Sequence, residues 1–253
     1  MQNYSPTFYQ SRAAGALSSA EEIVPIISKL IAPKRVIDLG CGTGEWLSVF
    51  QRHGTIEIKG VDGIWVDESR LRIPKHVFFP FDFSKPFQLD GPRFDLAVSL
   101  EVAEHLSPEY APGFVRSLTE LAPIVLFSAA IPNQGGTNHL NEQWQGYWVQ
   151  QFQGRGYVSI DCLRWRVWDN PRVKYWYAQN MLLFANPTAL AAFPLLQLEH
   201  EVPRRSPVSV VHPTLYLENL EHLRASAIGF RKVLKEMPRM FRDSVRRYFK
   251  FWQ

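Results

Sequence analysis

Residues 35–45 read Arg-Val-Ile-Asp-Leu-Gly-Cys-Gly-Thr-Gly-Glu. Five residues, Arg35 to Leu39, form a short apolar run bounded by glycines, which predicts a buried strand. Gly40, Gly42 and Gly44 then let a ligand approach the main chain. The helix predicted from Gly42 to Arg52 begins with unbonded N–H groups. Strand, glycine loop and helix together make a nucleotide cradle. Its chemistry excludes two kinds of ligand. A dinucleotide fingerprint wants Gly or Ala three residues after the second glycine, and Glu45 stands there. A Walker loop wants Gly-Lys-Ser/Thr after four intervening residues, and the sequence lacks it. An acidic side chain disfavours pyrophosphate, so the loop suits an adenosine without phosphates.

Working outward, Ile56–Asp62, Val77–Asp82, Phe94–Ser99 and Pro123–Ser128 read as further strands, with a helix from about Pro108 to Leu121 between the last two. Strands alternating with helices predict an α/β fold, a parallel sheet covered on both faces. Upstream, Ser19 and Glu22 have capping-box spacing, which predicts a helix through Ile31 with Pro25 in its first turn or at a kink. Tyr157–Trp168 and Trp176–Phe184, with the turn Asp169-Asn170-Pro171 between them, predict a terminal antiparallel pair. Residues 187–214 carry five prolines and read as a connector over the surface. From Leu215 the chain reads as helix.

Asp62 ends the second strand, 18 residues past Gly44. An acid there can accept both hydroxyls of a ribose. Asp82, at the end of the third, can accept an adenine amino group, with Phe81 or Phe83 against the ring. With these residues in place, VIDLGCGTG, GVDG, FDF and FDLAVSLEVAEHL resemble, in order and spacing, the motifs of class I S-adenosylmethionine-dependent methyltransferases. The resemblance spans about residues 20–186. It implies a Rossmann-like seven-stranded sheet with a reversed last strand. It implies cofactor contacts from Asp38, Gly40, Cys41, Gly42, Thr43, Gly44, Asp62, Gly63, Asp82, Phe83 and Leu100. FSAAIPNQGGTNHLNEQW and WYAQNMLLF resemble a bacterial methyltransferase group found beside glycosyltransferases, which implies a glycan acceptor.

Glu101, Glu104 and His105 follow the fourth strand at i, i+3 and i+4. On a helix they would share one face. His139 and Glu142 lie in a loop after the fifth strand, and the ends of strands four and five face one crevice. Carboxylates plus imidazole suit a divalent cation such as Mg²⁺ or Mn²⁺. Glu-x-x-Glu-His at this place is similar to the motif of ubiquinone-biosynthesis and small-RNA 2′-O-methyltransferases, which implies Glu101, Glu104 and His105 as ligands, with His139 completing the set by location. Without metal, His139 is the expected general base, with His105 and Glu142 beside it. Trp144, Trp148, Trp165 and Trp176 are candidates to wall the acceptor pocket.

Composition narrows the setting. The chain has 253 residues, 46% hydrophobic and 21% charged, which excludes a mainly disordered or collagen-like chain. No apolar run approaches the ~18–20 residues of a membrane span. Two cysteines, Cys41 and Cys162, and no signal-like N-terminus fit a cytoplasmic enzyme. Residues 1–200 hold 17 Lys and Arg against 19 Asp and Glu, a net of −2, while residues 201–253 hold 11 against 5, a net of +6. The slightly acidic main part argues against nucleic acid as a partner. The basic C-terminal part carries Leu220, Leu223, Ala227, Phe230, Leu234, Met237, Phe241, Tyr248 and Phe251 at helical spacing, with Pro238 as a break. Such a stripe needs cover from the enzyme itself, a second subunit or an anionic membrane surface. The sequence therefore predicts three parts: a methyltransferase domain over 1–186, a connector over 187–214 and a helical extension over 215–253. The leading activity is methyl transfer to a sugar hydroxyl. An RNA ribose methyltransferase and a non-catalytic assembly partner are the alternatives.

Overall fold

The computed structural model describes residues 6–85, 87–202 and 207–224. The elements run in chain order as α1 (Pro6–Ile31), β1 (Arg35–Leu39), α2 (Glu45–Arg52), β2 (Glu57–Asp62), β3 (Phe78–Pro80), β4 (Leu96–Leu100), α3 (Ala111–Leu121), β5 (Ile124–Ser128), α4 (Gln145–Gln153), β6 (Val158–Ile160), α5 (Arg164–Val167), α6 (Tyr175–Asn180), β7 (Leu182–Ala185), α7 (Pro187–Ala192) and α8 (Pro194–Glu201). Short 3₁₀ turns occupy Ala103–His105 and Pro108–Tyr110. The chain divides into two compact units, residues 1–212 and 213–253.

The first unit holds one seven-stranded sheet in the order β3-β2-β1-β4-β5-β7-β6. β1 pairs in parallel with β2 and β4, and β4 with β5. β7 runs against both β5 and β6, so it alone is reversed, and it lies inside the sheet rather than at its edge. The expected fold is therefore present. β4, β5 and β7 are buried along their whole length, as strands covered on both faces must be. Two apolar clusters flank the sheet. One gathers Ile23, Val24, Ile27, Trp46, Phe50 and Leu183, and the other Phe114, Phe127, Trp148, Phe152 and Phe184.

Three expectations need correction. α1 starts at Pro6 and passes through Ser19 and Pro25, so Ser19 is no cap. Its hydroxyl donates back to the Gly15 carbonyl (2.7 Å) and accepts from the Lys174 N–H (3.0 Å). A tertiary contact thus occupies the side chain that a capping box would have used. The aromatic runs 157–168 and 176–184 do contain an antiparallel pair, but each strand is short, and the residues between them form α5 and α6. The proline-rich stretch after 186 is helical over α7 and α8. Asn186 caps α7 by accepting from the Ala189 N–H, Pro187 and Pro194 sit in first turns where no N–H is needed, and Ala189 and Leu196 are buried.

The second unit is helical over residues 213–224. The stripe and charges expected beyond that point lie outside the described residues. No described helix is long and apolar enough to cross a membrane.

Candidate active site

The carboxyl ends of β1, β2, β4 and β5 bring the chemistry to one edge of the sheet. Between β1 and α2 the glycine loop is tightly tied. The Gly40 and Cys41 N–H groups donate to the Val61 carbonyl, at 2.7 and 3.2 Å. Gly40, Gly42 and Gly44 adopt φ of 89°, 55° and 87°, a region that glycine enters without strain. A Cβ on Gly40 would meet Val102 at 2.2 Å, and one on Gly44 would meet Ile73 at 2.9 Å. Gly42 differs, since its only near neighbour would be Glu45 Oε2 at 3.9 Å. The loop is thus packed at both ends and open in the middle.

Asp62 holds this arrangement. Its Oδ2 accepts from the Gly42 N–H (2.7 Å) and its Oδ1 from the Gly63 N–H (2.6 Å). A carboxylate has about four acceptor directions, so capacity remains for a ligand. Burial raises the Asp62 carboxyl, and the two N–H groups pull it back. Asp38 is buried, and burial followed by the charges of Asp62 and Glu45 pushes its carboxyl well above the usual range. Burial also pushes up the Cys41 thiol, helped by the same acids, so this cysteine is no nucleophile at neutral pH. Thr43 donates to Glu45, and Arg72 reaches Glu45 at 3.3 Å.

The Phe81 N–H donates to the Asp62 carbonyl (2.7 Å), which places the end of β3 beside the loop. Asp82 is exposed there, and accepts from the Ser84 N–H. Phe83 turns into the core against Phe114, leaving half-buried Phe81 as the aromatic at the rim. Leu100 is buried at the end of β4.

A second group forms at the ends of β4 and β5. The carbonyl of Glu104 accepts from the N–H groups of Leu140 (2.7 Å) and Asn141 (3.0 Å), which docks the loop bearing His139 onto the 3₁₀ turn. Ligand atoms of Glu104, His105 and His139 all lie within 4.8 Å of one another. The two imidazoles meet edge to face with centroids 4.9 Å apart. His139 Nδ1 lies 2.9 Å from Glu142 Oε1, and His105 Nδ1 lies 3.3 Å from the Asn138 carbonyl. Both partners only accept, so each Nδ1 carries the proton and each Nε2 becomes the lone-pair nitrogen of the neutral ring. Glu142 also accepts from the N–H groups of Asn133 (2.8 Å) and Gly135 (3.0 Å), pinning the loop.

Glu101 does not join this group, because no α-helix follows β4. The chain turns at Glu101 with φ 57° and enters a 3₁₀ turn, so i, i+3 and i+4 share no face. Its carboxylate accepts from Gln134 Nε2 (2.7 Å) and Asn180 Nδ2 (3.2 Å) instead. Burial raises its pKa, opposed by Ser128, Asn180, Gln134 and His139. The tryptophans also divide. Trp148 packs in the core against Phe127 and is no pocket wall. Trp144 and Trp165 are exposed, and Trp165 donates to Asp161. Gln134, Gln145, Gln179 and Asn180 were not singled out in the sequence. The signal was there in Ala178-Gln-Asn-Met181, two amides set directly before an apolar strand.

A family model described as a methyltransferase domain matches residues 9–170. The chain belongs to that methyltransferase family. No curated relative matches the sequence. Among solved structures, the methyltransferase domain of bacterial CtHen1 is 22% identical over 68% of this chain and 98% of its own, with a TM-score of 0.48. An O-methyltransferase family protein from Burkholderia thailandensis is 13% identical over 71% of this chain and 59% of its own, at 0.51. A sugar N-methyltransferase from Streptoalloteichus is 13% identical over 74% and 96%, at 0.54. The last two share the fold.

A methyltransferase of this class takes S-adenosylmethionine as its donor, and the residues present fit it. The donor is cationic at its sulfonium and amino groups, and the acids Asp38, Asp62 and Glu45 gather around the glycine loop. The opening over Gly42 would give it backbone contact.

Proposed function

We propose that this methyltransferase transfers a methyl group to a hydroxyl of a sugar, in a glycan or glycan precursor, and that Glu104, His105 and His139 hold a divalent cation beside the acceptor. The observation that carries the reading is that three-residue group, docked on the same sheet edge as the glycine loop through Val102 and Gly40. Ligands about 2.0–2.3 Å from one ion stand no more than about 4.6 Å apart, and the ligand atoms of this group lie within 4.8 Å of one another, so a small rotation would bring them to one ion. Its second partners fit too, since a metal-bound imidazole gives its other N–H to a carboxylate or carbonyl. Glu142 and Asn138 serve His139 and His105 in this way. Two imidazoles and one carboxylate leave open positions, which suits Mn²⁺ or Mg²⁺ with an acceptor hydroxyl.

Bound S-adenosylmethionine supplies an electrophilic methyl on sulfur. The chain supplies the rest. Asp38 and Asp62 would hold the donor at the glycine loop. A sugar hydroxyl is a weak nucleophile and must lose its proton as it attacks. Without a cation, His139 can take that proton at Nε2, with Glu142 stabilising the imidazolium through Nδ1. A cation at the cluster would occupy that lone pair and would instead lower the hydroxyl pKa, so that the proton leaves to water.

The test is methyl transfer from labelled S-adenosylmethionine to a panel of nucleotide sugars, glycans and a short RNA, before and after chelation. Transfer to a sugar that is lost on chelation and restored by Mn²⁺ or Mg²⁺ supports the reading. Full activity after exhaustive chelation removes the cation and leaves His139 as the base. Transfer to RNA alone removes the sugar.

A further inference from the structure

The cation-ligand pattern in the sequence has four residues, and the folded chain gathers three. Glu101 is the one left out, yet two side-chain amides hold its carboxylate. Its main chain lies in the left-handed region, where residues other than glycine carry strain, and such strain gathers at functional sites. The Glu101 N–H donates to the Ser128 carbonyl (3.0 Å), which fixes it between the ends of β4 and β5.

The amides around it have only one consistent arrangement. Gln134 Oε1 accepts from the Ile131 N–H (3.3 Å), Gln179 Nε2 (3.1 Å) and Asn180 Nδ2 (2.8 Å). Its NH₂ must therefore face Glu101. Gln179 Oε1 accepts from the His212 N–H (2.8 Å), and Asn180 Oδ1 accepts from Gln179 Nε2 (3.0 Å). Gln134 and Asn180 thus point their donors at one carboxylate, and Gln179 holds both of them. Drawing Glu101 towards the cation group would take an acceptor from half-buried Gln134 and one of two from buried Asn180, a costly loss.

We propose that Glu101 binds the acceptor and is not a cation ligand: its carboxylate accepts hydrogens from two adjacent hydroxyls of the sugar. The amides take one direction on each oxygen, and a carboxylate has about four, so acceptor capacity remains for hydroxyls of a ligand. Glu101 is half-buried, hence reachable, and close enough to His139 for the two to interact electrostatically. A diol held there would present one hydroxyl to the group of Glu104, His105 and His139. This inference rests on the sugar reading above.

Two measurements test it on the full chain, with unchanged S-adenosylmethionine affinity as the check that each variant folds. The first is Mn²⁺ binding followed by electron paramagnetic resonance in the wild type, Glu101→Gln and Glu104→Gln. Glu101→Gln should bind Mn²⁺ as the wild type does, while Glu104→Gln should not. The second is KM and kcat for whichever nucleotide sugar the panel shows to be methylated. Glu101→Gln should raise KM roughly tenfold or more, the scale of a lost charge-assisted hydrogen bond. Glu101→Asp, charged but shorter, should fall between. Loss of Mn²⁺ binding in Glu101→Gln to the extent seen in Glu104→Gln overturns the inference, and so does an unchanged KM. A wild type that binds no Mn²⁺ defeats the cation reading and leaves this one to KM. A panel with no methylated sugar defeats the acceptor class and leaves the Mn²⁺ comparison to decide whether Glu101 is a ligand.

Discussion

Asp62 shows how one side chain can serve fold and ligand together. It closes the glycine loop through Gly42 and Gly63 and keeps capacity for a ribose. Asp62→Ala is expected to weaken S-adenosylmethionine by roughly 1.5–3 kcal/mol, measured by calorimetry. An unchanged affinity would remove Asp62 from the site. Asp38 gives a pH signature. Its folded carboxyl lies well above the ordinary value, mainly through burial. The fold therefore favours the protonated form, and stability falls as pH rises from the unfolded value of about 3.9 through the folded one. Without cofactor, Asp38→Asn should be more stable than the wild type at pH 8, with the advantage shrinking towards pH 5. Urea denaturation at the two pH values decides it, and a constant difference would mean that the carboxyl is not the titrating group. The acids were legible in the sequence because each lies at or near the carboxyl end of a strand. That Asp38 would be buried beside two other acids was not.

The loop from Ile131 to Gln143 is the element on which the site depends. Gly136 has φ 150°, and a Cβ there would meet His139 Nε2 at 2.2 Å. Gly136→Ala should displace the imidazole and lower kcat by about 10²-fold or more, the usual contribution of a general base, while the melting temperature changes by only a few degrees. Activity within twofold of wild type would show that His139 has no part in the chemistry. Sequence patterns read such elements unevenly. The shared face that a helix would give Glu101, Glu104 and His105 does not form, because Glu101 turns the chain and only a 3₁₀ turn follows. The predicted cap at Ser19 failed because Gly15 and Lys174 hold its side chain. The aromatic runs near the C-terminal end of the sheet read as strands because β-branched and aromatic residues have high strand propensity, which tertiary packing overrides over α5 and α6. The strands β6 and β7 are short because the ladder needs partners, and pairing covers only Val158–Ile160 with Leu183–Ala185.

At the scale of the whole molecule, the division falls after His212. Residues 224–253 hold nine basic and two acidic side chains, a net of +7. We propose that this part associates with an anionic membrane surface, which would bring the enzyme to lipid-linked acceptors. Truncation after His212 should preserve S-adenosylmethionine binding and abolish cosedimentation with vesicles containing anionic lipid. If both proteins behave alike on vesicles and in light scattering and only stability drops, the extension belongs to the fold. The sequence by itself determined the α/β class, the glycine cradle and the acids at the strand ends. Those features are local: a buried strand needs a continuous apolar run, and a turn that admits a ligand needs glycine. Only the tertiary structure decided that His139 meets Glu104 and His105, and that Gln134 and Asn180 hold Glu101 apart from them. Those contacts join residues about 30 to 80 positions apart, and their geometry depends on loop hydrogen bonds that leave no period in the chain.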